Sequence, residues 1–229
     1  MLTHRILIVL HQERSSPGRV GQELKRRGFA LDIRRPALGD PLPATLAEHD
    51  GAIIFGGPMS ANDDLDFIKA EIDWISVPLG ENKPFLGICL GGQMLAKQLG
   101  APVAPHPEKR VEIGYFPVHP TEAGQNLFDN PQFVYQWHRE GFELPHGAVA
   151  LACGAGDFPL QAMRYGDKAY GLQFHPELTA LMMNAWLVKA RHRLVEPGAQ
   201  PALAQRLARH QHDRDLNGWL HRFLDHWLA

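Results

Sequence analysis

A chain of 229 residues is long enough for one large domain or two small ones and for a sizeable buried core. With 45% hydrophobic and 21% charged residues, its composition is that of a globular protein, and a net charge of −2 excludes a strongly electrostatic nucleic-acid or membrane-surface binder. Two cysteines, Cys89 and Cys153, are too few for a disulfide framework, and the thirteen histidines are scattered without H-E-x-x-H or C-x-x-C pairing, so neither a metal site nor a cofactor is predicted. The N-terminus offers no signal-peptide pattern and no apolar run approaches a membrane span, so a cytoplasmic location is expected, where a thiol stays reduced.

Residues 5–10 form a continuous apolar run, typical of a central parallel strand. Residues 18–27 read as a polar-faced helix ended by Gly28, and residues 29–33 as a second strand. Residues 34–43, rich in proline and charge, read as loop. Residues 51–55 are another buried strand, ending in Gly56-Gly57-Pro58. Residues 65–77 read as one helix, with Leu65, Ile68, Ile72 and Ile75 near one face. Residues 85–88 form a further buried strand, and residues 94–99 a helix stopped by Gly100. This alternation predicts an α/β fold with a doubly wound, mostly parallel central sheet.

The middle of the chain changes character. Prolines are frequent from 101 to 164, and short apolar stretches at 114–118, 133–137, 148–153 and 160–164 read as largely antiparallel strands on or beside the sheet. Cys153 is expected to be a buried small hydrophobe. Residues 168–174 are a further strand and 178–194 a helix whose Leu181, Met182, Ala185 and Trp186 read as core. Residues 195–201 are expected to hinge. The tail, with Leu203, Leu207, Leu216, Leu220, Phe223 and Trp227, reads as amphipathic helix broken near Asn217-Gly218. The expected division is a domain over 1–195 and a helical tail over 196–229 packed on it, a dimer or partner surface being the alternative use of the tail.

The chemistry gathers on Pro84-Phe-Leu-Gly-Ile-Cys-Leu-Gly-Gly-Gln93. A buried strand, a sharp turn at Cys89 and a helix, with Gly87 and Gly91 on either side, make the pattern of a nucleophile elbow. A thiol at a helix N-terminus meets free N–H groups and the positive dipole end, which favour thiolate. The Leu90 N–H points where an oxyanion could form. Taken alone, the stretch also fits a structural cysteine beside a glycine-rich turn. His175 and Glu177, around Pro176, end a predicted strand and face the same way, as a base and its orienting group would. Taken alone, His-Pro-Glu also fits a turn into a helix. A Gly57 N–H could be a second oxyanion donor.

Gly-Gly-Pro, Gly-Ile-Cys-Leu-Gly-Gly-Gln and Phe-His-Pro-Glu, in this order, resemble the class I (triad) glutamine amidotransferases, over about residues 5 to 192. Closest in look are the stand-alone members similar to the amidotransferase domain of GMP synthase, a branch that includes plant γ-glutamyl peptidases. The resemblance implies a flavodoxin-like fold and a thioester mechanism. It makes Cys89 the nucleophile, His175 the base and then acid, Glu177 its orienter, and Gly57 and Leu90 the oxyanion donors. It places Gly56 and Gln93 at the substrate. It sets the segment from Gln136 to Glu140 where the substrate's α-amino and α-carboxyl groups bind, with Trp137, His138 and Arg139 as candidates. Arg139 departs from the family's usual small or acidic residues there. No P-loop pattern is present, so use of the ammonia requires a separate synthetase subunit. The alternatives are a self-sufficient hydrolase of γ-glutamyl peptides or conjugates, and a non-catalytic regulator that keeps the fold.

Overall fold

Uninterrupted apolar runs give the strands that are buried on both faces. The computed structural model describes residues 4–128 and 131–229. In chain order, β1 (Arg5–Val9) leads to α1 (Gly18–Arg26), β2 (Ala30–Arg34), β3 (Gly51–Ile54), α2 (Asp66–Trp74), α3 (Ser76–Gly80), β4 (Phe85–Ile88) and α4 (Leu90–Gln98). Then follow β5 (Val103–Pro105), β6 (Glu112–Pro120), β7 (Gln132–His138), β8 (Glu140–Phe142), β9 (Ala148–Gly154), β10 (Leu160–Tyr165), β11 (Ala169–Leu172), α5 (Ala180–Lys189) and α6 (Ala202–Trp227).

Nine strands form one sheet in the order β2-β1-β3-β4-β11-β10-β9-β6-β7, and β5 pairs with β8 in a small second sheet. The strands from β2 to β11 pair in parallel. From β11 to β7 every pairing is antiparallel. The proline-rich middle of the chain therefore extends the central sheet. Alternation along β1 sends Ile6 and Ile8 to one core, with α1 and α6, and Leu7 and Val9 to the other, with α2 and α4. Helices thus cover both faces, as a doubly wound α/β sheet requires.

Four helices differ from the sequence reading, α4 by beginning at Leu90 where 94 is expected. The helix expected over 65–77 divides into α2 and α3. Pro78, inside α3, has no N–H to give the Trp74 carbonyl one turn earlier. The helix expected over 178–194 begins at a Thr179 cap, whose side chain accepts from the Met182 N–H at 3.2 Å. It stops at Lys189 and gives way to a 3-10 turn, Arg191–Val195.

The tail helix is not broken at Asn217-Gly218: α6 runs unbroken for 26 residues. Leu216, Trp219, Leu220, Phe223, Leu224 and Trp227 recur at helical spacing and are all buried against the sheet. Burying six large side chains outweighs the roughly 1 kcal/mol that an interior glycine costs a helix. The expected hinge is also anchored. The Val111 N–H donates to Pro197 O at 2.8 Å and the Gln200 N–H to Ile113 O at 2.9 Å, tying the connector to β6. Among the described residues, no helix is long and apolar enough to cross a membrane.

Candidate active site

Cys89 sits between β4 and α4 with φ 51° and ψ −105°, a conformation that non-glycine residues rarely adopt. The elbow closes because nothing larger than glycine fits around it. A Cβ on Gly87 would lie 2.3 Å from Gly91 O, and one on Gly91 would lie 2.1 Å from Ile54 O. The Cys89 N–H donates to Leu172 O at 2.7 Å, which pins the turn to the end of β11. Leu90 opens α4, and its N–H is one of the helix's unpaired N-terminal donors.

His175 and Glu177 follow β11, the strand beside β4. The His175 N–H donates to Tyr135 O at 2.8 Å, and the Arg19 N–H at the start of α1 donates to Glu177 O at 2.8 Å. Gly18 makes that second clasp possible, since a Cβ there would lie 2.2 Å from Glu177 O. The side chains then meet: His175 Nδ1 lies 2.8 Å from Glu177 Oε1. With Nδ1–H donating to the carboxylate, Nε2 is left for chemistry.

The site is closed. Cys89 is 5% exposed, His175 4% and Glu177 3%. The Trp186 ring of α5 packs edge-on against the imidazole at 5.0 Å, so this side chain serves the site as well as the core. A Cβ on Gly56 would meet His175 Cε1 at 2.8 Å and Cys89 Cβ at 3.4 Å, so the end of β3, the Cys89 side chain and the imidazole converge. Burial works against a charged imidazole, but Glu177 and Cys89 beside it outweigh burial and push His175 up to about 10. Nε2 of His175 and Oε2 of Glu177 have no hydrogen-bond partner among the described residues. Free catalytic sites often keep such contacts loose until substrate arrives.

Gln93 lies one helical turn past Cys89, and its amide donates to Glu140 O at 2.8 Å and Gln173 Oε1 at 3.3 Å. Trp137 is half-buried and packs against Tyr135 and Trp186. Arg139 is exposed. His138 turns inward: Nδ1 lies 3.1 Å from Glu140 O and Nε2 3.1 Å from Glu112 Oε2. Gly56 and Gln93 therefore gather with Cys89, His175 and Glu177, Trp137 reaches them through Trp186, and His138 and Arg139 are engaged elsewhere or point outward.

Gln173 and His11 escape the sequence reading, and Glu140, the end of the segment from Gln136, is not singled out within it. Gln173 donates an amide N–H toward Cys89 Sγ at 3.9 Å. The alternation that joins His175 to Glu177 extends back to Gln173 and could have found it. Glu140 accepts from Ser60 Oγ at 3.0 Å. His11, just past β1, stands against Gly57. Cys153 is half-buried and, with His106 and Phe158, lines a cavity of about 420 Å³ that none of Cys89, His175 and Glu177 touches. Among the described residues, no three His, Cys, Asp or Glu side chains gather as a metal-binding group.

The glutamine amidotransferase class-I family matches residues 18–190. The chain is similar to the glutamine amidotransferase-like protein YfeJ of Salmonella typhimurium, 31% identical over 232 residues and covering 96% of each chain. It is also similar to a subunit of the glutamine-hydrolyzing GMP synthase of Sulfolobus acidocaldarius, 30% identical over 136 residues, or 58% of this chain and 70% of that one. A solved glutamine amidotransferase structure from Methylobacillus flagellatus superposes with a TM-score of 0.90 at 29% identity, covering 100% of this chain and 95% of that one. With its family motifs on one edge of the expected sheet, the chain belongs to the class I glutamine amidotransferases.

Proposed function

We propose that this protein hydrolyses the γ-amide of glutamine through a thioester on Cys89 and passes the ammonia to a separate synthetase subunit. The observation that carries the reading is the imidazole of His175, held at 2.8 Å by Glu177 and packed beside Cys89 and Gly56. Cys89 Sγ attacks the γ-carbon, and the N–H groups of Gly57 and Leu90 receive the negative charge that forms on the carbonyl oxygen. His175 Nε2, carrying the thiol proton, protonates the leaving nitrogen so that it departs as ammonia. Water then attacks the thioester, gives its proton to Nε2, and releases glutamate and the thiolate. Glu177 keeps Nδ1–H in place throughout.

Gln93 and Gly56 border the acyl group in this reading. Glu140, a carboxylate beside Ser60, is suited to a substrate ammonium group, and Trp137 closes the site through Trp186. The relative that forms part of a GMP synthase supports a partner that consumes the ammonia. A γ-glutamyl peptide would run the same cycle with a larger leaving group. Release of glutamate and ammonia from glutamine, measured beside product release from γ-glutamyl peptides, separates these substrates. Wild type should turn over one of them and Cys89→Ala neither. Turnover that persists in Cys89→Ala would defeat the reading.

A further inference from the structure

The assignment of the Gly57 N–H to the oxyanion, on which this inference rests, depends on how one peptide group is turned. Gly56 O and the Gly57 N–H belong to the same planar trans unit and point in opposite directions. Whatever holds the carbonyl therefore aims the N–H. That holder is His11, whose Nδ1–H donates to Gly56 O at 3.1 Å. The ring also lies against the next residue, because a Cβ on Gly57 would meet His11 Cγ and Nδ1 at 3.0 Å. In the direction of its missing Cβ, Gly56 faces His175 and Cys89. The loop thus touches both His11 and the Cys89–His175 pair, with the Gly56 carbonyl directed at His11 and the Gly57 N–H directed away from that carbonyl's partner.

His11 is held in turn. Its Nε2 lies 2.8 Å from Glu71 Oε2 on α2, and both side chains are fully buried. Both ring nitrogens face acceptors, so Nδ1 carries one proton and a second lies between Nε2 and the carboxylate. A buried pair of this kind is weak support for stability, since apolar residues of the same volume often pack as well. Glu71 Oε1 moreover has no hydrogen-bond partner among the described residues. A buried polar pair with an open oxygen calls for a reason other than packing.

We propose that His11 and Glu71 are positioning residues that lock the Gly56–Gly57 peptide with its N–H toward the acyl oxygen. Without the lock the peptide can turn over, and an acceptor then stands where a donor is needed. His11→Phe keeps a ring and removes the donor. His11→Asn keeps the donor, because its amide nitrogen takes the place of Nδ1, and Glu71→Gln keeps an acceptor for Nε2.

The test compares kcat and KM on a γ-glutamyl substrate with the rate at which iodoacetamide alkylates Cys89, a displacement that forms no oxyanion. In His11→Phe, kcat should fall about hundredfold with KM and the alkylation rate within about threefold of wild type, while His11→Asn and Glu71→Gln stay within about tenfold. A crystal structure of His11→Phe should show the 56–57 peptide turned. An unchanged peptide, full turnover in His11→Phe, or kcat and alkylation falling together would overturn the lock. Should His11→Phe fail to fold, Glu71→Leu, which frees the ring, is expected to shift the same readouts in the same direction. Should wild type turn over no γ-glutamyl compound, the functional reading fails, and the peptide orientation in the two crystal structures alone decides the lock.

Discussion

The parallel and antiparallel halves of the sheet treat buried polar side chains in opposite ways. In the parallel half, β1, β3, β4 and β11 are almost entirely apolar, and the polar groups (His11, Cys89, His175, Glu177) collect just beyond the strand ends. In the antiparallel half the polar groups lie within the strands. Glu112 Oε2 accepts from Gln161 Nε2 at 2.9 Å and lies 3.1 Å from His138 Nε2, while Gln136 Nε2 donates to Gln161 Oε1 at 2.5 Å. The first arrangement leaves His175 Nε2 and Glu177 Oε2, and Glu71 Oε1 behind His11, without a hydrogen-bond partner among the described residues. The second pairs Glu112, Gln161 and His138 with one another, while Gln136 Oε1, Tyr115 Oη, Gln132 Nε2 and Arg164 Nε on the same strands have no hydrogen-bond partner among the described residues. The halves therefore differ in where their buried polar groups sit: beyond the strand ends in one, within the strands in the other.

The sharpest way to break this contrast is to change one polar residue in each half. Glu177→Gln should lower kcat by about 10³-fold or more, because the neutral amide no longer stabilises the imidazolium and can turn its N–H donors toward Nδ1, which selects the wrong tautomer. Its pH signature follows from His175. A histidine raised from 6.5 to about 10 on folding contributes stability that is fully present below pH 6.5 and is lost as pH rises through about 10. Wild type should therefore lose stability to chemical denaturation between pH 7 and 10 more steeply than Glu177→Gln does. An NMR titration of His175 should show its midpoint move down in the variant. An equal slope in both proteins would remove Glu177 as the stabilising partner.

Glu112→Leu should do the reverse. It leaves His138 Nε2 without this partner and Gln161 Nε2 with Phe158 O alone, and should cost about 1–3 kcal/mol of stability while lowering kcat by no more than about tenfold. A large loss of activity at unchanged stability would mean that the antiparallel half takes part in the chemistry.

The smallest effect concerns α6. Gly218 lies inside an unbroken helix, and a Cβ there would meet only an Arg222 guanidinium nitrogen, at 3.6 Å. Gly218→Ala should therefore stabilise by about 0.5–1 kcal/mol in urea denaturation. A loss of stability would argue for a break at that position.

The same contrast explains what the sequence disclosed. Continuous runs such as Ile6–Leu10 announce strands buried on both faces, and the glycines around Cys89 announce the elbow, because each pattern has one dominant physical cause. That Cys89 and His175 both follow strands, at the ends where open α/β sheets bind ligands, is legible as well, whereas the adjacency of β11 to β4 is not. The antiparallel half is harder to read. β6 begins with a buried glutamate, and β5 and β8 are three residues each, too short for alternation to register. His138 looks available in the sequence because its partner Glu112 lies 26 residues away. At Asn217-Gly218 local propensity points to a break in α6, while the burial of Trp219 and Phe223 against the sheet, which keeps the helix whole, is a tertiary effect. His11 carries one usable signal, a titratable side chain just past a parallel strand, where open α/β sheets bind ligands.

The most direct test of the central claim is to quench the enzyme during turnover of glutamine or a γ-glutamyl peptide and map the adduct by mass spectrometry. A γ-glutamyl thioester on the Cys89 peptide, absent from Cys89→Ala, is the expected result. An adduct on Cys153, or turnover that continues in Cys89→Ala, would contradict the assignment of Cys89 as the nucleophile.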